Sequence, residues 1–235
     1  MSHIFEIAEN IYRIASFTPP IPVTFTQFLI VDESPLLFHT GPRGVFRETL
    51  EAISKVIDPV KIRYISWSHL EADECGALND FLQIAPNAEP VAGELAVMLN
   101  VGDFFTRAVK SMKDNEVLEL GRHRLRYLIT PHVPHSWDAV LAFDEATKTL
   151  LASDLFTHFG ETVPTTESDI VEQALSVHKQ LPEYVPVGSH TAKVFDRLEG
   201  LQPKVLAGHH APAFTGNAVQ ALRDLRRGLF EMTGR

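Results

Sequence analysis

Ile65-Ser66-Trp67-Ser68-His69-Leu70-Glu71-Ala72-Asp73-Glu74 is the stretch on which the reading of this chain turns. The apolar, β-branched run at 62–66 has the pattern of a short strand, and it feeds directly towards His69. His69, Glu71 and Asp73 then fall at alternate positions, and all three are metal-competent. A loop leaving a strand end can turn such side chains towards one cavity while the strand behind holds it rigid. A solvated acidic turn has the same local pattern, so support has to come from elsewhere in the chain.

Three further segments supply it. Pro131-His132-Val133-Pro134-His135-Ser136-Trp137-Asp138 lies between two strand pairs, the run 149–154 ends in Asp154, and Gly208-His209-His210 follows the strand-like 204–207. Metal donors therefore recur at strand ends.

Outward from these segments the chain falls into two halves. The first reads as strands at 11–15, 25–31 and 36–39, a helix at 46–57 with Phe46, Leu50, Ile53 and Ile57 at helical spacing, the strand 62–66, and a helix at 74–82. The second reads as hairpins 117–120/124–129 and 139–143/149–152, helices at 170–180 and 192–199, the strand 204–207, and a last helix at 217–230 with Val219, Leu222, Leu225 and Leu229 on one face. Two sheets face to face with helices outside accommodate that order. No linker interrupts it, and the Pro-rich 18–22 reads as a loop, so residues 1–235 are expected to form a single domain.

Composition narrows the function classes. The apolar fraction is 45% and the charged fraction 22%, ordinary for a globular chain with a sizeable core. Net charge is −9 and no Lys/Arg run exists, which argues against nucleic acid and anionic membranes as partners. Arg223, Arg226 and Arg227 read as a solvated helix face. Cys75 is the single cysteine, so no intramolecular disulfide is possible. The start shows no basic segment followed by an apolar core, and no apolar run is long enough to span a bilayer; the expected location is the cytoplasm.

On these motifs the chain resembles the metallo-β-lactamase superfamily. Within it, the chain is similar to the diiron domain of flavodiiron proteins and to stand-alone oxygen-binding diiron proteins. His69-x-Glu71-x-Asp73 stands where the zinc hydrolases carry His-x-His-x-Asp-His, His135 stands nineteen residues before Asp154, and Gly208-His209 matches the final His loop. The resemblance runs from Phe25 to that loop and implies an α/β fold, the αββα four-layer sandwich. It further implies that His69, Glu71 and His135 hold one metal, Asp73 and His209 the other, and that Asp154 bridges both. Carboxylates with imidazoles suit two irons, with a bridging oxo or hydroxo group; zinc or manganese is the alternative. The implied function is binding, and reduction or sensing, of dioxygen or nitric oxide. Flavodiiron proteins carry a flavodoxin domain after the diiron domain and this chain closes at Arg235, so electrons are expected from an external donor such as a flavoprotein or rubredoxin, or the site reports to a signalling partner. A homodimer is the family's habit. The competing reading is a binuclear zinc-type hydrolase of an ester, thioester, lactone or phosphodiester.

The chain also departs from the family pattern. Glu74 stands where a sixth-position His is common, either as a further ligand or beside one, and His39 stands where a strand-ending Asp often sits. His132, His158 and His210 neighbour the proposed ligands and are read as supporting rather than ligating residues. His3, His123 and His178 read as surface residues, and His190 as close to a helix start. Cys75 reads as a buried, inert thiol, and Phe156, Phe159 and Trp137 as aromatic core.

Overall fold

Alternation along the N-terminal strands sends side chains to two different cores. In β2 (Ile11–Phe17), Ile11 joins one apolar cluster and Ile14 another. In β3 (Thr24–Ile30) every residue is buried; Phe28 and Ile30 go to the first cluster and Leu29 to the second. A strand buried on both faces needs a layer on either side, and that requirement organises the whole chain.

The computed structural model describes residues 2–100 and 102–234. Its first half runs β1 (His3–Ala8), β2, β3, β4 (Leu36–Phe38), α1 (Phe46–Ile53), β5 (Tyr64–Ser66), α2 (Ala72–Cys75), α3 (Leu78–Ile84), β6 (Glu89–Gly93), α4 (Glu94–Asn100) and β7 (Lys110–Met112). The second half runs β8 (Val117–Glu119), β9 (Arg124–Ile129), β10 (Val140–Asp144), β11 (Thr149–Ser153), β12 (Thr165–Thr166), α5 (Val171–Gln180), α6 (Thr191–Gly200), β13 (Val205–Gly208), β14 (Ala213–Phe214) and α7 (Ala218–Thr233). Among the described residues these strands form two seven-stranded sheets, ordered β1-β2-β3-β4-β5-β6-β7 and β12-β14-β13-β11-β10-β9-β8. In the first sheet β1 to β4 pair antiparallel and β4 to β7 parallel. In the second, β8 to β11 are antiparallel and β11 pairs parallel with β13.

Three apolar clusters define the layers. Phe28, Phe38, Leu125, Tyr127 and Leu151 fill the space between the sheets. Leu37, Ile53, Trp67 and Phe81 pack the helices of the first half on the outer face of its sheet. Leu141, Leu150, Phe195, Leu222 and Leu225 do the same for α5, α6 and α7. The result is the αββα sandwich of the metallo-β-lactamase fold, with the carboxyl ends of β5, β11 and β13 opening at one edge.

Several expectations are corrected. The helix expected at 46–57 stops at Ile53, because the Lys55 and Val56 amides bond three residues back and tighten the chain into turns. The helix expected at 74–82 is two, α2 and α3. The Ala77 amide is taken by Gly41 O and Thr40 Oγ1, which breaks the helical ladder at that point. His123 and His178 are buried rather than on the surface. His123 pairs with Asp144, and His178 packs 5.6 Å from the Tyr184 ring. Phe156 is core, as expected, whereas Trp137 and Phe159 are exposed. His190 stands at the N-terminus of α6, and Arg223, Arg226 and Arg227 pair with Glu199, Asp196 and Asp224 on the surface.

Candidate metal centre

The strand-end geometry builds the site. β5 delivers Trp67 into the outer core, and the chain then turns so that His69 points inward with no exposure. Asp138 Oδ2 accepts from the Leu70 amide at 3.0 Å and pins that loop. The single turn of α2 presents Asp73 and Glu74. From the second sheet, the loop before β10 is folded by Thr130 Oγ1 donating to Val133 O, and it carries His135 inward. Asp154 follows β11, where Ser153 adopts φ 48°, and the His209 amide donates to Ser153 O at 2.8 Å. Parallel pairing of β11 with β13 thus brings Asp154 and His209 side by side.

The side chains converge in two groups that share Asp154. On one side Asp154 Oδ2 lies 3.2 Å from His135 Nε2 and 3.5 Å from His69 Nε2, and Glu71 Oε1 lies 3.5 Å from each of those nitrogens. On the other side Asp154 Oδ1 lies 3.4 Å from His209 Nδ1 and 3.5 Å from His210 Nε2, and His210 Nε2 is 3.2 Å from Asp73 Oδ2. Ligand bonds of about 2.0–2.2 Å place neighbouring donor atoms about 3.0–3.5 Å apart, the spacing of both groups. Glu74 sits between them: its Oε1 is 2.8 Å from His209 Nδ1 and 3.8 Å from His69 Nε2.

The hydrogen-bond inventory tests whether a metal fits. His69 Nε2, Asp154 Oδ1, Glu74 Oε2 and His209 Nε2 are buried with no hydrogen-bond partner. Orphaned polar atoms at this density are costly unless something absent from the protein satisfies them. Behind the inward-facing nitrogens, the opposite ring nitrogens are held. His135 Nδ1 donates to Tyr184 O at 3.1 Å, His210 Nδ1 donates to Thr24 O at 2.8 Å, and His69 Nδ1 lies 2.9 Å from Ser68 Oγ. That arrangement fixes the tautomer and leaves Nε2 as the free donor, the pattern of ligating imidazoles. Ser68 Oγ also receives Ser153 Oγ and lies 3.0 Å from His39 Nε2, so His39 backs the site through a hydroxyl.

Electrostatics point the same way. Burial alone raises the Asp154 carboxyl, but the imidazoles of His135 and His209 that face it hold it well below the usual carboxylate range. Burial lowers the His69 imidazole, and the opposing pull of Glu74, Glu71 and Asp154 leaves it raised. Glu74 is pushed well above its ordinary value by burial and then by Asp154. Four carboxylates facing one buried space call for cations.

The remaining residues fall outside the convergence. His132 is exposed beside His190, with ring centres 5.8 Å apart. His158 Nε2 donates to Ile170 O, and its amide supports the loop by donating to His210 O. Cys75 is buried, and burial pushes its thiol up, which makes it inert. Sequence reasoning did not mark Ser68, Asp138, Thr157 or Tyr184. Thr157 Oγ1 donates to Asp154 O and lies 2.9 Å from the Tyr184 hydroxyl. Only the neighbours Ser68 and Asp138 carried a local signal, by adjacency to His69 and His135. Access is from the Glu71 side, since Glu71 is 45% exposed against 15% for His135 and 2% for Asp154.

Known proteins share this fold. The family described as ODP family beta lactamase matches residues 23–211. The flavo-diiron protein FprA2 of Clostridium acetobutylicum is 26% identical over 94% of this chain and 60% of its own length. Rubredoxin-oxygen oxidoreductase of Megalodesulfovibrio gigas is 26% identical over 84% of this chain and 50% of its own. Among solved structures, the rubredoxin oxygen:oxidoreductase from Desulfovibrio gigas superposes with a TM-score of 0.83 at 20% identity, covering 97% of this chain and 62% of that one. The Flv1 flavodiiron core from Synechocystis sp. gives 0.82 at 19% identity, covering 99% and 62%. The chain spans between 23% and 60% of the length of these curated relatives. With most of its length matched and the αββα frame in place, the chain belongs to the ODP family of beta-lactamase-fold proteins.

Proposed function

We propose that this chain is a diiron protein that binds dioxygen or nitric oxide and reduces it with electrons from an external donor. The observation that carries this reading is the division of Asp154, whose two oxygens face two separate donor groups at 3.2–3.5 Å. In this reading His69, Glu71 and His135 would hold one iron, Asp73 and His209 would hold the other, and Asp154 would serve both. Two additions come from the geometry. His210 joins Asp73, because its Nε2 faces that carboxylate while Thr24 O holds its far nitrogen. Glu74 joins as a fourth carboxylate, between the halves.

The donor set favours iron. Four carboxylates balance the charge of two divalent ions, and mixed carboxylate and imidazole ligation suits iron or manganese better than a His-rich zinc pocket does. When bound, two ferrous ions side by side supply two one-electron reductants to a single diatomic ligand. The protein's own part is orientation and exclusion. Tyr184 O, Thr24 O and Ser68 Oγ lock the imidazoles, and burial of every candidate ligand except Glu71, Asp73 and His135 restricts entry to small molecules. Four electrons convert dioxygen to water, so two must arrive from outside the metal pair.

The name of the relative rubredoxin-oxygen oxidoreductase supports rubredoxin as a donor type. We read residues 1–235 as one unit that pairs as a homodimer. Oxygen-electrode measurements with chemically reduced rubredoxin test the activity. Sustained uptake by the wild type and none by Asp154→Ala is the expected result. Absence of uptake of either gas, together with zinc and hydrolysis of an ester or thioester, would replace this reading with the hydrolase.

A further inference from the structure

We propose that the cavity beside Arg13 is a binding site for a small organic monocarboxylate, with the carboxylate on the Arg13 guanidinium and the apolar body against Phe5, Phe17 and Val163. Alternation along β2 places Arg13 on the same side as Ile11, the side that faces the other sheet. Arg13 pairs across the sheet with Phe5 and Phe28 and is only 2% exposed. A cation in such a position ordinarily has a carboxylate beside it, because burying an unpaired charge is costly.

Among the described residues Arg13 has no such partner. Its Nη2 donates to Thr162 Oγ1 at 2.6 Å and to Ala211 O at 3.1 Å, both neutral acceptors. Its Nε is buried and bonded to nothing. Among the described residues no carboxylate forms an ion pair with it, and burial alone pushes the guanidinium down to about 10, still charged at neutral pH. In a chain of net charge −9, a buried cation without an acid is an exception that a ligand can explain.

The surrounding space has the matching shape. A cavity of about 670 Å³ opens over Arg13, within the size range of small-molecule sites. Phe5 and Val163 stand exposed on its wall and give the cavity an apolar side. Glu161 is the one acid lining it; it is exposed and disfavours a dianion, which leaves a single carboxylate with an apolar body as the fitting chemistry. The cavity adjoins the loop of the metal centre: Thr24, which lines it, holds the His210 ring through its carbonyl, and Ala211, whose carbonyl accepts from Arg13, follows His210. The proposal does not depend on which metal that centre holds.

Calorimetric titration of the full, metal-loaded chain with benzoate and with its neutral isostere benzamide tests it. Benzoate is expected to bind, benzamide to bind about tenfold more weakly or not at all, and Arg13→Gln to lose about tenfold in benzoate affinity with metal content unchanged. Val163→Trp, at the exposed wall, is expected to block the cavity and lose benzoate binding in the same way, and it decides the matter if Arg13→Gln fails to fold. No binding of benzoate up to about 10 mM would overturn the proposal. So would equal binding by wild type and Val163→Trp, which would place benzoate on the metals instead.

Discussion

Glu74 Oε1 lies 2.8 Å from His209 Nδ1, and neither side chain is reached by solvent. The other Glu74 oxygen has no partner, and Oε1 also faces His69 across 3.8 Å. A carboxylate in that position either ligates or holds its neighbour in place. Glu74→Ala is expected to weaken metal binding by about 10–100-fold at the half formed by His209, Asp73 and His210. Glu74→Gln, which keeps volume but loses charge, is expected to lie between. Chelator competition followed by elemental analysis reads both. Two metals held with wild-type affinity in each variant would make Glu74 a bystander.

Asp154 faces both donor groups, one through each of its carboxylate oxygens. Asp154→Ala is therefore expected to lose both metals, where Glu71→Ala weakens one. Metal stoichiometry on the purified variants checks this, and two metals per chain in Asp154→Ala would mean the ligand assignment is wrong.

Much of this site is legible in the sequence because its donors sit at strand ends, where an apolar run stops at a His or Asp. His69, Asp154 and His209 are marked in that way. The choice between His209 and His210 is not, because adjacent residues at a strand end differ only in where each ring turns, and that is set by Thr24 O and Glu74 from distant segments. The fold is legible where patterning is long, as in β3 and α7. β6 contains Pro90, β7 is the short Lys110-Ser111-Met112, and α4 has two turns at most, so none carries a periodic signal. Burial of His123 and His178 is set by Asp144 and Tyr184, which sequence position does not reveal.

His123 gives a pH prediction away from the metals. The Asp144 carboxylate, 3.2 Å from its Nδ1, raises the imidazole, with Asp32 and Glu9 adding to the effect against burial. A raised folded value means that His123 contributes stability below its unfolded value, about 6.5, and loses it as pH climbs through the raised one. Asp144 is raised by burial but lowered further by His123 and Thr147, so its contribution is present above about 4 and lost as pH falls through the depressed value. The melting-temperature gap between wild type and His123→Gln should therefore be larger near about pH 5.5 than near about pH 8.5. A gap that stays constant or widens with pH would contradict the pairing.

Phe195 anchors α6 in the outer core of the second sheet and has no exposure. Phe195→Ala is expected to cost about 3–5 kcal/mol through lost burial and the cavity left behind. Urea unfolding of the metal-loaded protein measures it, and a loss below about 1 kcal/mol would show that the helical layer is held by something else.

Metal content together with an optical spectrum tests for the pair of irons. Protein prepared without air should contain two irons per chain and gain a new charge-transfer band on exposure to oxygen. Two zincs per chain and a spectrum that air leaves unchanged would contradict the account and point to hydrolytic chemistry.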